Sequence, residues 1–298
     1  MQNHIKIYLD AINSLSQRED RSLPVKDLLI WEDKLKKLTC YYAPFEHVNQ
    51  QAEIIIVGIT PGRTQMNRAL NALKHTMDDT HNINQTTDTA FKTVKRLASL
   101  SGSMRPRIVA ILNRLGYAKL LGIKCCSTLW REDNHLVHFC SVLKYPVFVT
   151  GTDYCGQPKL FNTSKLVRLL FEEFVRDMRT INPKAVIVPL GEMVADVLTT
   201  LHQNGHIHQK LTTFENKVVA PPHPSGANAE SIALLLREDY PTLTNYQNEM
   251  YKQYILKQSW LKKKNGKAQP KEHYKKMRTA RWHTMLLVRK AYSLKCKL

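Results

Sequence analysis

The sequence predicts an α/β fold: three α/β/α layers around a central parallel sheet of about four strands, with N-terminal helices and a basic helical C-terminal extension. Three observations carry this. Ile54-Ile55-Ile56-Val57 is an uninterrupted β-branched run ending at Gly58, the pattern of a parallel strand buried on both faces. Strand and helix patterns alternate after it, and parallel strands need such crossovers. A chain of 298 residues with 43% hydrophobic content is also long enough for one large domain and an appendage.

In chain order, residues 4–16 (Ile5, Leu9, Ile12, Leu15) and 25–39 (Val25, Leu28, Leu29, Leu35, Leu38) repeat apolar positions at helical spacing, so a helical pair is expected first. Strand 54–57 follows. Residues 65–120 are mainly helical, with polar breaks near Asn82–Asp88 and Ser101–Ser103. Leu136–Phe148 is the second strand region, its regular part closed by Pro146. A helix over 164–179 places Leu166, Leu169, Leu170, Phe174 and Met178 on one face. Strand 185–188, helix 192–201, strand 218–220 and helix 228–236 complete the alternation. Lys262–Lys271, with Gly266 and Pro270, reads as a flexible basic linker to a last helix near 272–291. The domain reading is therefore 1–256, with its core at about 41–236, and a basic tail over 257–298.

Net charge is +19, and residues 257–298 hold 14 Lys/Arg against one acid, Glu272, leaving +6 for the first 256 residues. A polyanion is the natural partner, because each phosphate neutralised releases a condensed counterion. Tyr274, Trp282 and Tyr292 are interleaved with the tail's cations, which suits backbone contact plus packing or base stacking; a solvated basic helix is the plainer alternative. No apolar run reaches membrane-spanning length, and the first residues lack the build of a signal peptide, so a cytoplasmic protein with no membrane partner is expected. No obligate protein partner is evident. Cys40, Cys125, Cys126, Cys140, Cys155 and Cys296 show no paired spacing, so neither a disulfide framework nor a zinc knuckle is expected. His202, His206 and His208 lie around a turn at Asn204-Gly205 and read as a solvated loop. No metal or cofactor is expected.

Two loops at strand ends stand out. Gly58-Ile59-Thr60-Pro61-Gly62-Arg63 follows strand 54–57 and opens a helix, whose unpaired N–H groups face an anion. It is not a P-loop, since the Lys-Ser/Thr ending is missing. Pro221-Pro222-His223-Pro224-Ser225-Gly226-Ala227-Asn228 follows strand 218–220 and also opens a helix. Prolines on both sides hold the imidazole while denying it local backbone partners. Ligands of parallel sheets bind outside the carboxyl ends of the strands, where both loops lie.

Gly-Ile-Thr-Pro-Gly and, about 160 residues later, His-Pro-Ser-Gly-Ala-Asn resemble the two signature motifs of the uracil-DNA glycosylase superfamily. Phe139–Tyr145, helix 164–179 and Asn182-Pro183-Lys184-Ala185-Val186-Ile187-Val188-Pro189-Leu190-Gly191 are similar to that family's intervening strand, helix and strand, so the resemblance spans about 41–236. It implies flipping of a nucleotide into a pocket and hydrolysis of its base–sugar bond to leave an abasic site. It also implies that Pro61, Gly62, Pro224 and Ser225 press on phosphates, and that His223 stabilises the departing base. Arg63 is a further phosphate candidate on the first loop, with Gly226 and Asn228 on the second; Asn228 is equally placed to be a helix N-cap.

The chain departs from the family at the positions that read uracil. Thr60 stands where relatives carry a carboxylate or amide, and Ile59 where another branch has Glu. Threonine can position a water but cannot act as a base at neutral pH. Asp78, Asp79, Asp88 and Asp153 are the candidates to supply the missing carboxylate. Ser141 takes the place of the amide that reads the uracil edge, and Gln65–Leu73 contains no stacking aromatic. Pocket subtraction of this kind leads to a modified pyrimidine as the expected substrate, for instance a hypermodified cytosine of foreign DNA. The alternatives are an ordinary uracil-DNA glycosylase of base-excision repair and a DNA-binding protein that has lost catalysis.

Overall fold

A computed structural model describes residues 7, 8, 10–12, 14, 26–80, 88–214, 217–249 and 271–295. The described part of the N-terminal segment is helical, with Ile12 fully buried. Residues 25–39 are not the second helix that their spacing predicts. After one turn at Lys26–Leu28 they form β1 (Leu29–Asp33) and β2 (Leu38–Tyr41), an antiparallel hairpin. Leu35, the middle of the apparent helical stripe, lies in the turn and is 96% exposed. Leu38 and Cys40 are buried, while Thr39 and Tyr41, which alternate with them, are only partly covered. Period-two burial therefore prevails over the i, i+3 pattern.

β3 (Ile54–Gly58) is the centre of the molecule. The helices that follow are α1 (Arg63–Thr80), α2 (Asp88–Ala98), α3 (Met104–Arg114) and the single turn α4 (Tyr117–Leu120). The expected break at 82–88 lies outside the described residues except for Asp88, which opens α2. Leu136–Phe148 divides between two sheets rather than forming one strand. β4 (Val137–Ser141) joins β3, whereas β5 (Val147–Val149), just beyond Pro146, pairs with β2 and with β6 (Thr152–Asp153). Helix α5 (164–178) is continuous through Ser164–Leu169, a π-helical stretch Leu170–Val175 and Arg176–Met178, and all five expected apolar residues are buried. β7 (Val186–Pro189) and α6 (Glu192–Gln203) come next.

The fourth parallel strand is β8 (Lys210–Leu211), which the sequence reading missed. The expected strand at 218–220 is instead part of a small hairpin, β9 (Thr213–Phe214) with β10 (Lys217–Val218). α7 (Ala229–Leu236) and α8 (Lys271–Lys295) end the chain; most of the expected linker 262–271 lies outside the described residues.

The main sheet has the order β4-β3-β7-β8, with every neighbouring pair parallel. Alternate residues of β3 point to opposite layers. Ile55 and Val57 pack with α1, α2, α5 and α6, whereas Ile54 and Ile56 pack with α3, α7 and α8. The fold is thus the expected three-layer α/β/α arrangement.

The described part of α8 is docked, not free. Met285, Val288, Ala291 and Tyr292 are buried in the second core. Trp282 donates its indole N–H to the Pro241 carbonyl at 2.9 Å and packs against the Tyr240 ring. Trp282 and Tyr292 therefore serve packing; the side chain of Tyr274 lies outside the described residues. No described helix is long and apolar enough to cross a membrane.

Candidate active site

The loop from β3 to α1 is sewn to the chain leaving β4. Val142 N–H donates to the Gly58 carbonyl (3.0 Å) and Leu143 N–H to that of Ile59 (2.9 Å). Thr60 Oγ1 donates to the Tyr145 carbonyl at 2.9 Å and accepts from Val147 N–H at 3.0 Å. Its one proton and one of its two lone pairs are thus committed to fixing the loop. A Cβ on Gly58 would meet Ser141 Oγ at 3.5 Å, so the two strand ends lie in close contact.

The second loop is fastened as firmly. Gly191 N–H donates to the Pro221 carbonyl, and Gly191 has φ +93°, a conformation that glycine adopts without strain. A Cβ there would lie 3.5 Å from His223 Cβ. The Asn228 amide donates to the His223 carbonyl (3.1 Å) and to Ser225 Oγ (3.3 Å), and Arg107 donates to the Pro224 carbonyl (3.3 Å). Asn228 occupies the N-cap position of α7 but makes no side-chain cap bond. It ties the histidine loop instead.

Ser225 N–H donates to His223 Nδ1 at 3.3 Å. In the neutral ring the proton must then sit on Nε2, which is left as a donor. Burial holds the His223 pKa below its ordinary value and so favours that neutral form.

Two cavities meet at these loops, sharing Ile59, Thr60, Gln65, Leu190 and His223. The inner one, about 50 Å³, also takes in Ser141, so His223, Thr60, Ile59 and Ser141 come together as the sequence predicts. The outer cleft, about 460 Å³, adds Gly62, Ser225 and Asn228. Pro61 and Pro224 are buried. Arg63 turns back, its guanidinium on the Gly151 carbonyl and over the Phe148 ring. Of the expected phosphate contacts, Gly62, Arg63, Ser225 and Asn228 are partly exposed and Gly226 is exposed.

The carboxylate candidates separate. Asp153 lines the outer cleft, joined by Glu192, which the sequence reading did not single out. Asp88 pairs with His47 (2.8 Å) and lines neither cavity. The side chains of Asp78 and Asp79 lie outside the described residues.

The inner cavity has a polar wall that sequence reasoning missed. Lys144 pairs with Asp177 (2.6 Å) and Glu173 (3.3 Å), and Lys95 donates to the His47 carbonyl at 2.6 Å. Burial, then repulsion from Lys144, pulls the Lys95 pKa down to about 8; burial lifts the Cys140 thiol to about 12. Phe45 supplies an aromatic ring from outside the stretch where one was sought. The available signal was helical phase: Lys95 falls between Phe91 and Ala98, and Asp177 between Phe174 and Met178, at positions of the buried stripes. His202, His206 and His208 form no metal set, and no group of three or more potential ligands exists among the described residues.

Comparison with known proteins gives a relative in Bacillus subtilis (strain 168), the uncharacterized protein YoxB, 32% identical over 217 residues that make up 71% of this chain and 81% of the relative. No family model and no solved structure matches the chain.

Proposed function

The chain belongs to the same family as YoxB, and we propose that it is a DNA N-glycosylase that hydrolyses the base–sugar bond of a flipped nucleotide, leaving an abasic site. The observation that carries this is His223: neutral, protonated on Nε2, and held at the junction of two cavities by a loop that Asn228 and Arg107 immobilise. A fixed neutral donor suits an oxygen on which negative charge develops as the base departs. Nothing has to reorganise when the bond breaks.

Bond breaking precedes water attack in this account, because an oxocarbenium-like sugar accepts a poorly activated water. Thr60 retains one lone pair for such a water. Asp153 and Glu192 line the outer cleft and are the candidates to take its proton. Ser141 is too short to present a paired donor and acceptor, which favours a modified pyrimidine over uracil. DNA is the partner, through the cleft loops and the basic C-terminal segment, and a cytoplasmic location accompanies this reading. No metal or cofactor enters the mechanism.

A second reading, a DNA-binding protein without catalysis, is favoured by the commitment of the Thr60 proton to Tyr145. The test is a panel of duplexes carrying uracil, unmodified bases or hypermodified cytosines, assayed for alkali-labile abasic sites. Cleavage at one base establishes the enzyme and its substrate. Binding without cleavage of any member establishes the second reading.

A further inference from the structure

Positive charge outside α8 gathers in a second place. A groove of about 420 Å³ between α1, α3 and the turn Cys126–Trp130 is lined by Arg68, Arg105 and Arg131, together with Gly102, Pro106 and Trp130. None of its lining residues is acidic; Glu132 and Asp133 follow Arg131 in the chain but do not line it. Arg105 is locked in place. Its Nη2 donates to the carbonyls of Arg96 (3.2 Å), Leu97 (3.0 Å) and Ser99 (3.2 Å), and its guanidinium lies over the Trp130 ring. Burial, and then the charges of Arg68 and Arg96, lower its pKa. Arg68 and Arg131 are exposed, and neither pairs with a carboxylate among the described residues.

Cations held together without acids raise the local potential and attract a polyanion. The groove and the cleft share helix α3. Met104 lines the outer cleft while the next residue, Arg105, lines the groove, and Arg107 in the same helix bonds the Pro224 carbonyl beside His223.

We propose that this groove is a phosphodiester-backbone site that carries the DNA strand away from the cleft, with Arg68 and Arg131 as its exposed cations and Arg105 as its fixed one. The proposal rests on DNA being the partner, but not on base excision. Guanidinium forks suit phosphate oxygens, and phosphate contacts position a strand without reading it.

Arg105 is unsuited to a test, because its removal breaks three backbone contacts. The full chain is compared with Arg68→Ala/Arg131→Ala and with a control that loses equal charge elsewhere, Lys159→Ala/Lys210→Ala, both exposed. Binding to an unmodified duplex of about 30 base pairs is followed by anisotropy from about 50 to 200 mM salt. In the groove variant the slope of log K against log salt falls in magnitude by about 2, and affinity at about 0.1 M salt falls on the order of tenfold. The control changes much less. A groove variant that tracks the control overturns the proposal, as does competition by polyglutamate as strong as by unlabelled DNA, which marks an acidic-protein surface. Groove-dependent binding with every base left intact refutes the glycosylase reading alone. Base excision with groove-independent binding refutes the groove alone, and a wild-type chain that binds no DNA refutes both.

Discussion

The Asp153 carboxylate accepts the backbone N–H of Arg63 at 3.0 Å, so the N-terminus of α1 already holds an anion where the strand-end loop faces the cleft. Its other oxygen lies 2.6 Å from the point a Cβ on Gly62 would occupy; the missing side chain is what admits it. Under the proposed function, a DNA phosphate approaching the first loop would meet this charge.

Asp153→Asn removes the repulsion while keeping the shape. DNA affinity is expected to rise about two- to fivefold at low salt and the gain to shrink as salt is added, with stability falling by about 0.3–1 kcal/mol for the lost charge at the helix terminus. Titrations at two salt concentrations check this, and weaker binding by the variant contradicts it.

Asn228 acts on His223 through the backbone. Asn228→Ala deletes the bonds to the His223 carbonyl and Ser225 Oγ, so turnover should fall about tenfold through misplacement of the donor, with DNA affinity little changed. Single-turnover rates beside binding curves separate the two effects. A loss confined to affinity would reassign Asn228 to phosphate binding.

Two buried groups give opposite pH dependences. Burial holds the Glu46 carboxyl up at about 7 against its ordinary 4.5, opposed by the charge of Lys144. The folded chain thus binds this proton more tightly, and the stability it contributes is complete below about 4.5 and lost as pH rises through about 7. Glu46→Gln should gain on the wild type across that interval, by up to about 3 kcal/mol. His138 is held well below 6.5 by burial, then by Lys95, so the unfolded chain takes its proton first and stability falls as pH drops below about 6.5. His138→Gln should flatten the acid limb of a plot of Tm against pH. Parallel profiles for wild type and both variants would contradict these assignments.

Helix α8 is part of the core as well as a carrier of charge. Tyr292→Ala should cost about 3 kcal/mol, as large-to-small changes at fully buried aromatics do. Lys290→Ala, at an exposed position beside it, should cost less than about 0.5 kcal/mol. Denaturant unfolding distinguishes this from an undocked tail, in which both changes are nearly neutral.

The legible parts of the sequence were those whose pattern has one physical meaning. Ile54–Val57 could satisfy its four apolar residues only between two layers, and the loop around Thr60 follows from a strand that ends at Gly58; the strand expected at 218–220 ahead of His223 is instead a hairpin strand that ends at Val218. Residues 25–39 were misread because Leu28, Leu35 and Leu38 fit a helix as well as a hairpin, and only tertiary burial separates the two. The two-residue strand β8 is too short to carry a periodic signal. The wall of Lys95, Lys144 and Asp177 was hidden for another reason. Each charge is stabilised by partners distant in sequence, so its residue type alone suggested a solvated surface.

The most direct test of the central claim measures turnover and affinity together for His223→Ala and the wild type on the base that the substrate panel identifies. Abasic-site formation by His223→Ala should fall by about 100-fold or more, with the DNA dissociation constant within about threefold of wild type, as expected when a donor acts mainly on developing charge. Undiminished base excision by His223→Ala would contradict the claim.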